Sequence, residues 1–173
     1  MKTELESSEV IEHYEWLEKQ LAYYSTANAT AWLAVTLHHP PFLYSGYKEF
    51  FLPLLRKYKV HIIFAGHEHY VEYSQMTPDY ELRFPGAESK ILIGCEDDNE
   101  LMIHEGKEQT FKKGDHLHQF VSGNGGQKLV KICPFRDQDG EVFFKNNGYY
   151  GIAGVEVTSQ KFTLKFYKKA NEI

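Results

Sequence analysis

The chain is short of positive charge, of cysteine and of long apolar runs, and each shortage excludes something. Lys and Arg total 19 against 24 Asp and Glu, a net charge of −5. That balance offers no basic face for nucleic acid. No apolar stretch approaches the roughly 20 residues of a membrane span. The opening residues Met1-Lys2-Thr3-Glu4-Leu5-Glu6 are polar and acidic, which is not the pattern of a signal peptide. Two cysteines, Cys95 and Cys133, are too few for a disulfide scaffold, and their spacing does not decide whether they pair. There is no internal repeat and no low-complexity segment. Asn28-Ala29-Thr30 is an N-glycosylation triplet, a weak pointer to a secreted origin.

Aromatic residues are plentiful. Twelve Tyr and twelve Phe raise the aromatic share to 15%, within 42% hydrophobic residues. Strands favour such side chains, and 173 residues suffice for one domain with a core. The reading is a single domain over residues 1–173.

The most informative stretch is Val60-His61-Ile62-Ile63-Phe64-Ala65-Gly66-His67-Glu68-His69-Tyr70. A short β-branched run reads as a buried strand. It ends in Gly-His-Glu-His. Gly66 is expected to permit a sharp turn where a Cβ would clash. His67 and His69 then lie past the carboxyl end of the strand, where open α/β sheets place ligands. Neutral imidazole is the commonest protein metal ligand. Glu68 is expected to point away from them.

A second run, Trp32-Leu33-Ala34-Val35-Thr36-Leu37, ends in His38-His39-Pro40-Pro41. The prolines stop the strand and fix its exit. A helix over about residues 47–59 separates the two runs, with Pro53 in its first turn. Strand, helix and strand make a βαβ unit that carries histidines to one edge of a parallel sheet. Ahead of it, residues 8–24 read as a helix with an apolar stripe of Val10, Tyr14, Leu17, Leu21 and Tyr24.

Downstream, residues 71–76, 91–93 and 116–121 read as strands. The acidic run at 96–100 reads as a solvated loop, and residues 77–117 as an excursion from the core. The cluster Ser122-Gly123-Asn124-Gly125-Gly126 suits either an anion cradle or a tight turn. Asp139-Gly140 and Asn147-Gly148 signal hairpin turns. Residues 155–157 and 162–166 read as a terminal hairpin, so the second half is mostly antiparallel.

In this order, Trp16-Leu17, His38-His39-Pro40, Gly66-His67-Glu68-His69, the glycine cluster at 122–126 and the final hairpin together resemble a known family. They are similar to the carboxyl-terminal half of a calcineurin-like metallophosphoesterase, of the purple (tartrate-resistant) acid phosphatase subgroup. The resemblance covers about residues 10–76 and 118–168. It implies a mixed α/β fold, half of a two-sheet αββα sandwich with a βαβ unit followed by antiparallel strands. It implies a binuclear metal centre of iron with zinc, iron or manganese. His38 and His67 would ligate one metal and His69 the other. His39 would be a phosphate-facing or supporting group, and Gly123, Asn124 and Gly125 would border the substrate. The reaction implied is hydrolysis of phosphate monoesters, in which two cations polarise the phosphoryl oxygens and activate a bound water. The location implied is secreted or lysosomal.

Three of the family's five sequence blocks, Asp-x-His, Gly-Asp-x-x-Asp/Tyr and Gly-Asn-His-Asp/Glu, have no counterpart in the chain. Gly114-Asp115-His116-Leu117-His118 imitates the second, but lies downstream of Gly66 instead of upstream. A further histidine of the subgroup falls at Tyr47. Three histidines shared by two metals fall short of the three or more protein ligands a metal normally takes. The expectations are therefore weak metal binding, negligible turnover for the chain alone, and an apolar face left uncovered by a missing amino-terminal half. Two other readings stand beside this one. One is an inactive phosphatase-like binding or scaffold module. The other is a cupin-like single-metal barrel built on His116 and His118.

Overall fold

The computed structural model describes residues 8–27, 31–76, 113–114, 116–129, 141–146 and 150–168, the strand at 141–146 by its backbone. The expected strand at 91–93, the acidic run, both cysteines, the glycosylation triplet and the Asp139-Gly140 and Asn147-Gly148 turns lie outside these residues.

Helix α1 spans Ser8–Ala27, longer than the stripe required. Leu21 is buried, and Tyr14 and Leu17 pack beside it. Tyr24, expected on the same stripe, is instead exposed. Strand β1 is Ala34–Thr36. Two 3₁₀ turns, Pro41–Leu43 and Ser45–Tyr47, lead to the short helix α2, Phe51–Lys57. The expected start at residue 47 is thus 3₁₀ and turn. Pro53 sits third in α2, where no intrahelical N–H is needed. Its left-handed stop falls at Lys59, φ 53°.

Strands β2 (Ile62–Ala65), β3 (Val71–Met76), β4 (Leu117–Ser122) and β5 (Glu141–Asn146) join β1 in one sheet. Its order is β1-β2-β4-β3-β5. β1 pairs parallel with β2, Val35 opposite Ile63, so the βαβ unit is present. β4 also runs parallel to β2, a central placement that departs from the expected run of antiparallel strands. β3 pairs antiparallel with β4 and β5. Strands β6 (Gly151–Val157) and β7 (Phe162–Lys168) form a separate antiparallel hairpin.

Each face of the large sheet has its own cover. Ile63, Met76 and Leu117 meet Leu21, Phe51, Leu52 and Leu55 from the helices. On the opposite side, Phe120 stacks on Tyr73 and Phe64, and Phe162 of β7 packs against both Phe64 and Phe120. Trp32 touches Phe162 and donates to the Thr158 carbonyl at 3.1 Å, linking the hairpin to the start of β1. Helices, mixed sheet and second sheet therefore lie in layers. That is the expected half-sandwich, and the parallel sheet with its helix excludes the cupin-like barrel. His118, which suggested the barrel, is buried with Nδ1 3.0 Å from the Tyr73 hydroxyl.

Leu55 has no exposed surface. Leu55→Ala should cost about 2–5 kcal/mol, read as a lowered urea midpoint. His61 supplies a pH signature. Its Nδ1 accepts the Leu33 amide at 3.0 Å. Burial, then the Lys113 ammonium, hold its pKa below the ordinary histidine value. A neutral ring favoured by the fold contributes stability fully above about pH 6.5 and loses it as pH falls toward the depressed value. Urea midpoints at pH 7.5 and 5 should show a smaller acid loss for His61→Gln than for the parent chain.

Candidate metal centre

The β1–β2 ladder runs on past both strands. Leu37 N–H donates to Phe64 O at 3.0 Å, and Gly66 N–H donates to His38 O at 3.0 Å. The two exit loops are thereby joined, and their histidines converge. His38 Nε2 lies 3.0 Å from His67 Nδ1. The His39 and His67 ring centres are 4.1 Å apart, those of His38 and His39 5.0 Å. One nitrogen from each of His38, His39 and His67 falls within 4.8 Å of the others. Among the described residues this is the one group of three or more His, Cys, Asp or Glu close enough to share a metal.

The loop carrying His38 and His39 is held from below. Leu43 N–H closes the first 3₁₀ turn on Pro40 O. Phe42 is buried, and its N–H donates to Gln119 Oε1 at 3.0 Å. Gln119 in turn donates to the Ser74 hydroxyl. A sheet side chain thus satisfies an amide that the 3₁₀ turn leaves over.

The second loop has the harder path. It joins β2 to β3, and β4 lies between those strands. The loop must pass over the carboxyl end of β4. Two tight i→i−2 bonds shape it, Glu68 N–H to Gly66 O at 2.7 Å and Tyr70 N–H to Glu68 O at 2.8 Å. His67 takes φ 60°, the left-handed region that few non-glycine residues occupy. The sequence placed the glycine requirement at Gly66. The structure moves it: a Cβ on Gly66 meets nothing closer than 3.9 Å, whereas one on Gly123 falls 1.9 Å from Glu68 O. Gly123 is the residue over which the loop passes, and its N–H donates to Tyr70 O.

Glu68 is outside the group of three; its carboxylate accepts from the Tyr44 hydroxyl at 2.8 Å and is close enough to act on the charge of His39. The Tyr44 ring stands 5.5 Å from His39 and 5.9 Å from His67. Nothing in the sequence singled Tyr44 out. His69 lies outside the group of three. Its Nδ1 is 2.8 Å from Lys128 O, so Nδ1 carries the proton and Nε2 is the basic nitrogen. Metal-bound histidines are commonly oriented this way. Asn124 is buried, its side-chain oxygen near the Ser122 hydroxyl and its carbonyl accepting Gly151 N–H. Gly125 is exposed. His39 is pushed below its ordinary pKa by desolvation, then by charge on His67 and His38, with Glu68 opposing. A depressed pKa favours the neutral ring, the form that coordinates.

His38 and His67 stand at the carboxyl ends of parallel strands, and known proteins with similar sequences are phosphoesterases. Residues 1–71 match the calcineurin-like phosphoesterase family. Purple acid phosphatase 15 of Arabidopsis thaliana is 38% identical over 104 residues, covering 54% of this chain and 19% of that protein. The structure of purple acid phosphatase PPD1 from yellow lupin (Lupinus luteus) seeds superposes with a TM-score of 0.60 at 19% identity. It covers 96% of this chain and 27% of the lupin chain. The fold is that of a purple acid phosphatase. The chain spans about a fifth of the curated relative and about a quarter of the structural one.

A calcineurin-like phosphoesterase implies a binuclear centre, and the donor set can be tested against one. The described residues gather three imidazoles and no carboxylate, while the nearest carboxylate, Glu68, is engaged by Tyr44. That set fits one metal ion. It does not fit two, which need further donors and a bridging group.

Gly123→Ala forces the Glu68 carbonyl aside. The variant should lose at least about 2 kcal/mol of stability, a backbone-strain effect. The His67 ring resonances in an NMR spectrum should shift with it, while those of His13 on α1 stay in place.

Proposed function

We propose that the chain is the histidine-bearing, carboxyl-terminal part of a metal-dependent acid phosphatase-like enzyme that hydrolyses phosphate monoesters. One observation carries this reading: two parallel neighbouring strands deliver His38 and His67 to within 3.0 Å of each other at one sheet edge. His69, its Nδ1 fixed by Lys128 O, offers Nε2 to a second metal that needs donors from the missing amino-terminal half. The metals of the proposed complete centre are iron with zinc, iron or manganese. His39 lies against His67, which supports a place for it beside the metals, facing the phosphate, in the complete enzyme. Gly123 and Asn124 act under this reading as supports of the loop more than as substrate contacts.

The whole of residues 1–173 forms one portion of a phosphoesterase domain in this proposal, with residues 77–117 as an excursion. Support for the excursion is that the sheet closes across it: Met76, the last residue of β3, pairs with Leu117, the first of β4, so the strand resumes at the last residue of the expected span. An insertion whose ends are neighbours costs the fold little beyond loop closure. A location outside the cytosol, secreted or lysosomal, belongs to the same proposal. No helix among the described residues is long and apolar enough to cross a membrane.

An inactive scaffold is the competing reading. The assay that separates them uses p-nitrophenyl phosphate with iron, zinc or manganese supplied. The 173-residue chain should show no turnover above buffer. The same chain extended upstream through an Asp-x-His, Gly-Asp-x-x-Asp/Tyr and Gly-Asn-His segment should turn over, and His67→Ala should abolish that activity. An extended protein that hydrolyses no phosphoester under any metal would overturn the proposal.

A further inference from the structure

We propose that this chain by itself binds a single divalent transition-metal ion of the zinc class through His38, His39 and His67, with His39 as a direct ligand and His69 left out. The site differs from the resemblance-based assignment, which pairs His38 with His67 and gives His39 a supporting role. It goes beyond the phosphatase reading and does not depend on it.

Geometry supports the choice. Zinc–imidazole bonds of 2.0–2.1 Å at a tetrahedral angle set ligand nitrogens about 3.3 Å apart. The 3.0 Å between His38 Nε2 and His67 Nδ1 is close to that span. His39 brings the third nitrogen within 4.8 Å of the others. All three side chains emerge from loops joined by the Gly66 to His38 backbone bond. The Tyr44 ring packs against both His39 and His67, and Tyr44 also ties down the Glu68 carboxylate. The rings are therefore set in place before a metal arrives. His38 and His67 are exposed and His39 half-buried, so one side remains open for water as the fourth ligand. His69, in contrast, is outside the group, and its Nδ1 is engaged by the Lys128 carbonyl. Three imidazoles and a water are a complete set for one zinc-class ion.

The test is titration of the metal-free 173-residue chain with Zn(II) by calorimetry and with Co(II) by visible absorption. One equivalent should bind, with Co(II) bands of a tetrahedral or five-coordinate site. His39→Ala should weaken Zn(II) by more than about 100-fold, beyond the 10–100-fold typical of a merely orienting residue, and should change the Co(II) bands. His69→Ala should change neither by more than about threefold. If His39→Ala fails to fold, the unaltered chain still decides. The Co(II)-shifted ring protons in its NMR spectrum should belong to His38, His39 and His67. Absence of binding would overturn the proposal. So would two equivalents, shifted His69 protons, or Co(II) bands unchanged by His39→Ala. An extended chain with phosphatase activity beside a 173-residue chain that binds no metal would sink this site and leave the phosphatase reading standing.

Discussion

The parallel pairing of β1 with β2 is the constraint on which the rest depends. Its register sets Thr36 opposite Phe64, and the ladder continues as backbone bonds between the two exit loops. Side chains alternate faces along a strand, so a slip of one residue turns every side chain to the other face. Such a slip would carry Val35 and Ile63 out of the helix-side core and part His38 from His67. Core and histidine group are therefore specified by the same hydrogen bonds. Burial of Val35 and Ile63 against helix residues such as Leu55 is what holds the register, since hydrophobic contact, unlike a surface histidine, has a strong preference between faces.

A second constraint follows from where β4 sits. Because β4 lies between β2 and β3, the segment that carries His67 and His69 has to arch over its end. The arch uses a left-handed histidine, a conformation that costs roughly 1–3 kcal/mol for a non-glycine residue. Anchors on both sides offset this: the Tyr44 hydroxyl on Glu68, the Lys128 carbonyl on His69 and the Gly123 amide on Tyr70. His67 joins His38 and His39, while His69 is held by the Lys128 carbonyl.

What could be read in the sequence was whatever has a local signature. The apolar runs before His38 and before Gly66 announced buried strands, and the intervening helix made their parallel pairing the economical arrangement. The glycine at 123 was visible as part of a cluster. Its necessity was not, because the atom it makes room for belongs to Glu68, 55 positions earlier in the chain. Tyr44 and Gln119 were illegible for the same reason. Each acts through one long-range hydrogen bond, and neither sits in a periodic pattern. Likeness to the family gives His39 a supporting role, and its 4.1 Å approach to His67 is a tertiary contact that no local pattern announces. The place of β4 beside β2 has no local signal, because its partner lies across residues 77–116 and alternation within a strand does not say which strand it will meet.

The surface of the chain bears on the proposed missing half independently of the site. Register places Val155, Val157 and Ala153 of β6 on the same face as Leu164, Phe166 and Phe162 of β7, and Phe162 packs on the large sheet. That face is the inner one of a two-sheet sandwich. Yet Val155 is 46% exposed and Val157 51%, values that suit a margin awaiting cover. Within the described sheet, β1 has β2 as its neighbour on one side and no strand on the other, an edge only three residues long next to the histidine loops. Further strands laid against β1 and over the inner face of the hairpin would cover both. In the proposed complete enzyme, such strands would also bring the donors that a second metal needs. Under the proposed reading, completing the sandwich and completing the metal centre are one event. A chain of this length then folds its own helix-side core and its own three-histidine group, while the catalytic half of the chemistry waits on the same strands that would close the sheet.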